Sequence, residues 1–221
     1  MARKNLQSEQ AGAVDRLLER ALPDSRQSSR RSVLRHALAL FNAEGIEATT
    51  IDDLRRACGQ SVGTIYHHFK NKEGVVAALF FVAFDDQSRE IAERIAGLDS
   101  GQAIVQALIG AYAGWITTQP ACAHFVFLAR ESVAKGPHAQ ALHERLVNRY
   151  QPIDEVLARE VAAGGILPLP EELIPSLVLG ATESYARGWL VGRRMATPAS
   201  YAERLAVAAW RSITSTAPSG H

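Results

Sequence analysis

Between Thr50 and Phe69 the chain writes two short helices in succession, and their punctuation constrains the fold more than any other feature. Thr50 stands three residues before Asp53, the spacing in which a hydroxyl caps a helix and the third helical residue returns the bond. Asp52 and Asp53 also suit the positive end of the helix dipole. Gly59 closes this first helix, and Ser61 is a good N-cap for the next. In that second helix Ile65 and Phe69 share one face, while Gly63, Thr64, His67 and His68 point elsewhere.

The flanking sequence continues the helical pattern. Leu34, Ala37, Leu38 and Phe41 repeat at helical spacing before Gly45, which predicts a helix ahead of Thr50. Asn71 is placed to cap a long helix starting at Lys72, apolar nearly all round in "VVAALFFVAF" and amphipathic beyond. Further helices are expected over 102–119, 121–135, 138–163, 171–193 and 199–214, separated by glycine or proline. No period-two strand pattern and no fixed repeat occurs. The expected fold is all-α with about nine helices. Ahead of it, Val14, Leu17, Leu18 and Ala21 indicate a modest helix on a flexible linker broken at Pro23.

Composition narrows the functional classes. Nowhere do about 18 consecutive apolar residues occur, as a membrane span needs. The N-terminus carries no apolar signal core, and Cys58 and Cys122 sit in helical patterns, so a cytoplasmic location is expected, nucleoid-associated when DNA-bound. Residues 1–70 hold eleven Lys/Arg against eight Asp/Glu, a small basic bias that suits a polyanion partner.

The three helices from Ser29 to Phe69 together meet the requirements of a helix-turn-helix, in which the last helix enters a major groove. Ile51, Leu54, Ala57, Cys58, Ile65 and Phe69 are expected to hold the unit together with Leu38 and Phe41. Ser61 and Thr64 can donate to phosphates or base edges, Gly63 lets the helix approach closely, and the Thr64 methyl suits a thymine methyl. Tyr66, His67 and His68 add ring donors, and Lys70 and Lys72 add charge.

"TTIDDLRRACGQSVGTIYHHFKNKEGVVAALF" closely resembles the DNA-binding signature of TetR-type (tetracycline-repressor-like) transcriptional regulators, and "FNAEGIEATT" extends the likeness from about Ser29 to Phe81. The resemblance implies DNA contacts at Thr50, Ser61, Gly63, Thr64, Tyr66, His68 and Lys72. It puts Val62 and His67 at positions that tune sequence choice, and Ile65 and Phe69 in the core. Gln60 departs from the pattern: the family usually has a small aliphatic residue there, so this side chain is expected to reach DNA. Arg3 and Lys4, in an extension longer than many members carry, are candidates to follow the minor groove.

The resemblance further implies a domain order of N-terminal extension (1–28), helix-turn-helix domain (29–75), and helical ligand-binding and dimerisation domain (76–221). Tyr112, Trp115, Phe125, Phe127, Arg130, Tyr150, Tyr185 and Trp189 are candidate lining for an effector pocket. Leu177, Gly180, Ala181, Ser184, Gly188, Leu205, Ala208 and Ala209 form a pattern of small residues that suits either a four-helix dimer seam or a buried intramolecular pair.

No catalytic constellation is visible, no cofactor is expected, and His67 and His68 lack the spaced third ligand that a metal needs. The implied function is a homodimeric, ligand-responsive repressor on a near-palindromic double-stranded operator. A regulator without a small-molecule inducer is the alternative within DNA binding. A helical enzyme or adaptor using the three helices as scaffold is the alternative outside it.

Overall fold

A computed structural model describes the backbone of residues 2–214 and the side chains of residues 11–214. The Arg3 and Lys4 side chains fall outside the described residues. The order is α1 (Ala2–Ala21), α2 (Ser28–Glu44), α3 (Ile51–Cys58), α4 (Val62–Phe69), α5 (Lys72–Ile95), α6 (Gly101–Thr118), α7 (Pro120–Lys135), α8 (Ala139–Ala162), α9 (Ile174–Leu190) and α10 (Ala202–Ile213). Three short 3-10 turns occur at Ser25–Gln27, Glu171–Leu173 and Pro198–Tyr201. The described residues contain ten α-helices and no strand, which agrees with the all-α expectation of about nine. The last two helices start later than expected, because their first residues form 3-10 turns.

The helices gather into two compact units, Met1–Asp86 with Thr118–His143, and Gln87–Thr117 with Glu144–His221. In the first unit α1 packs on α2 and α7, with Val14, Leu17 and Leu18 of the helix and Leu22 just beyond its end all buried. The expected short N-terminal helix is thus longer, and polar ties secure it as well. Arg31 donates to the carbonyls of Leu22 and Asp24, and Arg20 Nη2 lies 2.9 Å from the buried Asp86 carboxylate. Removing one partner of such a pair strands the other charge.

The α2–α7 seam combines rings and polar groups. Phe41 stacks on Phe125 at 5.7 Å between centroids. Next to it Asn42 Nδ2 donates to the Ala121 carbonyl at 2.9 Å, which turns Oδ1 toward His124 Nδ1 at 3.0 Å. A carboxamide oxygen only accepts, so His124 carries its proton on Nδ1. Burial holds His124 below the ordinary histidine range. Cys122 is buried beside this seam, and burial together with the Asp86 charge pushes its thiol up to about 12. It is therefore a packing residue with no thiolate reactivity.

In the second unit α9 and α10 pack against each other, and the Leu167 amide closes onto the Ile213 carbonyl at 2.9 Å. Gly101 opens α6 where a Cβ would meet Glu160 at 2.9 Å and Trp210 at 3.1 Å, so any larger residue forces these side chains to shift. Its amide donates to Glu160 Oε1 at 2.9 Å. Arg149 is buried, and its guanidinium donates to Ser88 Oγ at 2.7 Å and Gln87 Oε1 at 3.1 Å.

Candidate nucleic-acid interface

Local chemistry sets the ends of α3 and α4 as the sequence indicates. The Thr50 hydroxyl accepts from the Asp53 amide at 3.2 Å, and Asp53 Oδ2 accepts from the Thr50 amide at 2.9 Å, completing the capping box. The Thr50 hydroxyl also donates to Asp53 Oδ2 at 2.6 Å, and this bond, with the one from the Thr50 amide, holds the Asp53 carboxyl below the usual carboxylate range. Gly59 ends α3 in the left-handed region at φ 65°, where a Cβ would be strained. Two residues later Ser61 Oγ accepts from the Thr64 amide at 3.0 Å and starts α4.

Burial then separates the two sides of α4. Leu54, Ile65 and Phe69 are 0%, 1% and 4% exposed, whereas Val62 and Tyr66 are 40% and 49% exposed. Ser61, Gly63 and His67 are also exposed, and Thr64 is half-buried with its hydroxyl 2.9 Å from that of Ser61. Gly63 is not demanded by the protein's own packing. A Cβ there would meet nothing nearer than Ser61 Oγ at 3.7 Å, ordinary contact. A glycine left open to solvent costs helix stability without an internal reason, which fits close approach by another molecule.

The junction after α4 is tighter than the sequence suggests. Lys70 has φ 68° and ψ −45°, and the Asn71 amide reaches back to the Phe69 carbonyl at 2.8 Å, so Lys70 is the centre of a strained γ-turn. Asn71 Oδ1 accepts from the Gly74 amide at 2.8 Å, capping α5 as expected. At Gly74 a Cβ would sit 1.8 Å from the Phe69 carbonyl oxygen, which no side chain permits. The recognition-type helix and α5 therefore meet backbone to backbone.

Other candidates divide between exposed and tethered. Lys72 Nζ donates to the carbonyls of Ile46 and Glu47 at 3.0 and 3.1 Å, tying α5 to the turn after α2. An ammonium has three donors, so a phosphate must use the third or displace one of these bonds. His68 is half-buried beside Phe69, and burial, with smaller contributions from His67 and Arg30, holds it below the ordinary histidine range. Gln60 is half-buried with its carboxamide oxygen 3.0 Å from Ser29 Oγ. Ala57, expected in the core, is exposed, because α3 turns only Leu54 fully inward. Thr49, which the pattern did not single out, is fully buried and donates to the Gly45 carbonyl at 2.8 Å.

The candidate pocket residues are split between the two units. Phe125, Phe127 and Arg130 belong to the first, and Phe125 is committed to its stack on Phe41. Tyr112, Trp115, Tyr150, Tyr185 and Trp189 belong to the second. Tyr112 and Trp115 are buried, and the Tyr112 hydroxyl donates to Glu183 Oε1 at 2.9 Å. Glu183 was missed in the sequence because a lone helical carboxylate gives no signal of its partner. Tyr185 donates to the Ala196 carbonyl at 2.9 Å and stands edge-on to Tyr201.

The small residues of α9 and α10 separate in the same way. Ala181, Ser184 and Ala208 are exposed, and Leu177, Gly180, Gly188 and Leu205 are half-buried. Ala209 is 4% exposed and packs inward, so it belongs to the intramolecular side of the pair. Gly180 has nothing within 4 Å of a Cβ position. Among the described residues no group of three or more His, Cys, Asp or Glu is arranged to hold a metal, and no helix is long and apolar enough to cross a membrane.

A capped, glycine-turned helix pair with an exposed second helix defines this class of protein: an all-helical chain bearing a helix-turn-helix. Residues 33–79 match the family described as "Bacterial regulatory proteins, tetR family". The likeness to that family rests on this segment of the chain. It is 39% identical over 87 residues to the HTH-type transcriptional repressor KstR2 of Rhodococcus jostii, covering 38% of this chain and 42% of that protein. It is 34% identical over 90 residues to the HTH-type transcriptional repressor AcnR of Corynebacterium glutamicum, covering 41% and 44%. The matched stretch thus spans less than half the length of these curated relatives. The fold likeness runs further. A TetR family transcription regulator from Marinobacter aquaeolei superposes with a TM-score of 0.72 at 18% identity, covering 86% of this chain and 97% of that one.

Proposed function

We propose that the protein is a DNA-binding transcriptional repressor that acts as a homodimer on a near-palindromic operator and is released by a small-molecule effector. The observation that carries the reading is the two-sided character of α4. Its apolar residues are consumed by the core, while an accessible strip of Ser61, Val62, Gly63, Tyr66 and His67 has no internal use for its glycine. In this reading Thr50, Ser61, Thr64, Tyr66, His68 and Lys72 grip the duplex, and Val62 and His67 choose bases. Residues 29–75 form the DNA-binding domain, 76–221 bind effector and partner copy, and the protein works in the cytoplasm without catalysis.

The exposed Ala181, Ser184 and Ala208 and the open space beside the half-buried Gly180 support the homodimer, since close approach by a second copy gives them a use. Helix α5 is the lever: it starts at Lys72 and runs unbroken to Ile95, with residues in both compact units. An effector weakens DNA binding only by preferring one conformer, and a tenfold loss needs about 1.4 kcal/mol of coupling.

Selection of fragments from sheared genomic DNA by the purified protein tests the reading. The expected result is enrichment of a near-palindrome whose half-sites lie about 34–36 Å apart. Absence of enrichment at low salt with competitor DNA overturns it.

A further inference from the structure

Resting on that DNA-binding reading, we infer that Ser29 and Gln60 form one unit in which Ser29 aims the Gln60 carboxamide so that its nitrogen donates to an acceptor on the duplex. Gln60 occupies the turn between α3 and α4, directly before the N-cap Ser61. An aliphatic residue at this point packs the turn and offers DNA nothing. A carboxamide has two ends of opposite character: an oxygen that accepts and a nitrogen with two donors. Ser29 Oγ, from the first turn of α2, donates to Gln60 Oε1 at 3.0 Å across 31 positions of sequence. The nitrogen makes no hydrogen bond among the described residues, and it is not among the buried atoms without a partner, so it reaches solvent.

The consequences are chemical and conformational. A free glutamine side chain loses rotational freedom when it binds, and the bond to Ser29 removes much of that freedom beforehand. The next two residues, Ser61 and Val62, are exposed on the face proposed to meet DNA. The held nitrogen therefore stands at the edge of that face and presents donors only. Phosphate oxygens and the acceptor atoms of base edges both match it. Ser29 is a positioning residue and Gln60 the contact.

Four variants on the genomically selected fragment test the unit. Gln60→Glu keeps the acceptor for Ser29 and replaces the donor with a carboxylate oxygen; it is expected to lower affinity by more than about tenfold with the unfolding midpoint unchanged. Gln60→Met removes both ends and is expected to lower affinity about threefold, with Ser29→Ala similar and the double variant no worse than Gln60→Met alone. An unchanged selected motif identifies the acceptor as phosphate, and a changed base at one half-site position identifies it as a base edge; both support the inference. Wild-type affinity in Gln60→Glu, or additive losses in the double variant, overturns it. Failure of the wild-type protein to select any fragment overturns the DNA-binding reading instead.

Discussion

Helix α4 and the α9–α10 pair both show small residues on an open face, yet they reach that state by different routes. Local chemistry defines α4 from end to end: a serine cap, a glycine stop before it, a γ-turn behind it and two apolar anchors beneath it. The α9–α10 pair has no side-chain cap at either N-terminus and is held by its mutual packing and a few polar ties such as the Leu167 amide on the Ile213 carbonyl. The difference teaches where each kind of surface is vulnerable. In the first, function sits on a frame that single backbone positions control; in the second, it is spread over many interchangeable side chains.

The comparison breaks most readily at Gly74. A Cβ there collides with the Phe69 carbonyl at 1.8 Å. Gly74→Ala is therefore expected to cost about 3 kcal/mol in denaturant unfolding and to abolish DNA binding. Stability within about 0.5 kcal/mol of wild type contradicts the backbone contact between α4 and α5. Ala181→Arg probes the second face. Burying an unpaired charge at a seam is costly, so self-association measured by sedimentation is expected to weaken by at least about a hundredfold, with the helical signal of the protomer intact. A dimer that persists removes this face from the interface.

Gly63→Ala separates function from frame. An alanine methyl fits, and alanine favours the helix, so stability is expected to hold or rise by up to about 1 kcal/mol. Affinity for selected DNA is expected to fall about tenfold in the same protein. Thr50→Ala removes one half of the capping box and is expected to cost about 1 kcal/mol in thermal or denaturant unfolding. The smallest effect is in pH. His68 and His124 are held below the ordinary histidine range, so the unfolded chain binds protons first as the pH falls through that range. Stability is expected to decline on acidification from about pH 7.5 to about pH 5.5, and to decline less in a His68→Asn, His124→Asn double variant.

What was legible in the sequence follows the same division. The caps at Thr50 and Ser61, the stops at Gly45 and Gly59, and the anchors Ile65 and Phe69 act over four residues or fewer, so spacing alone reveals them. The tether of Lys72 to Ile46 and Glu47, the bond from Ser29 to Gln60 and the closeness of Gly74 to Phe69 depend on how helices are brought together. No periodicity encodes them. The same holds for Tyr112 with Glu183, which sit 71 positions apart. Ala57 reads as core because it follows Ile51 and Leu54 at three-residue spacing, and only the rotation of α3 exposes it.

The central claim is that α4 faces DNA while the α9 face meets another copy of the chain. Site-specific photo-crosslinking tests it most directly, with a photoreactive residue in place of Tyr66 in one preparation and Ala181 in another, each irradiated with the genomically selected fragment. The account predicts a protein–DNA adduct from position 66 and a protein–protein adduct from position 181. A protein–protein adduct from position 66, with DNA untouched, contradicts it.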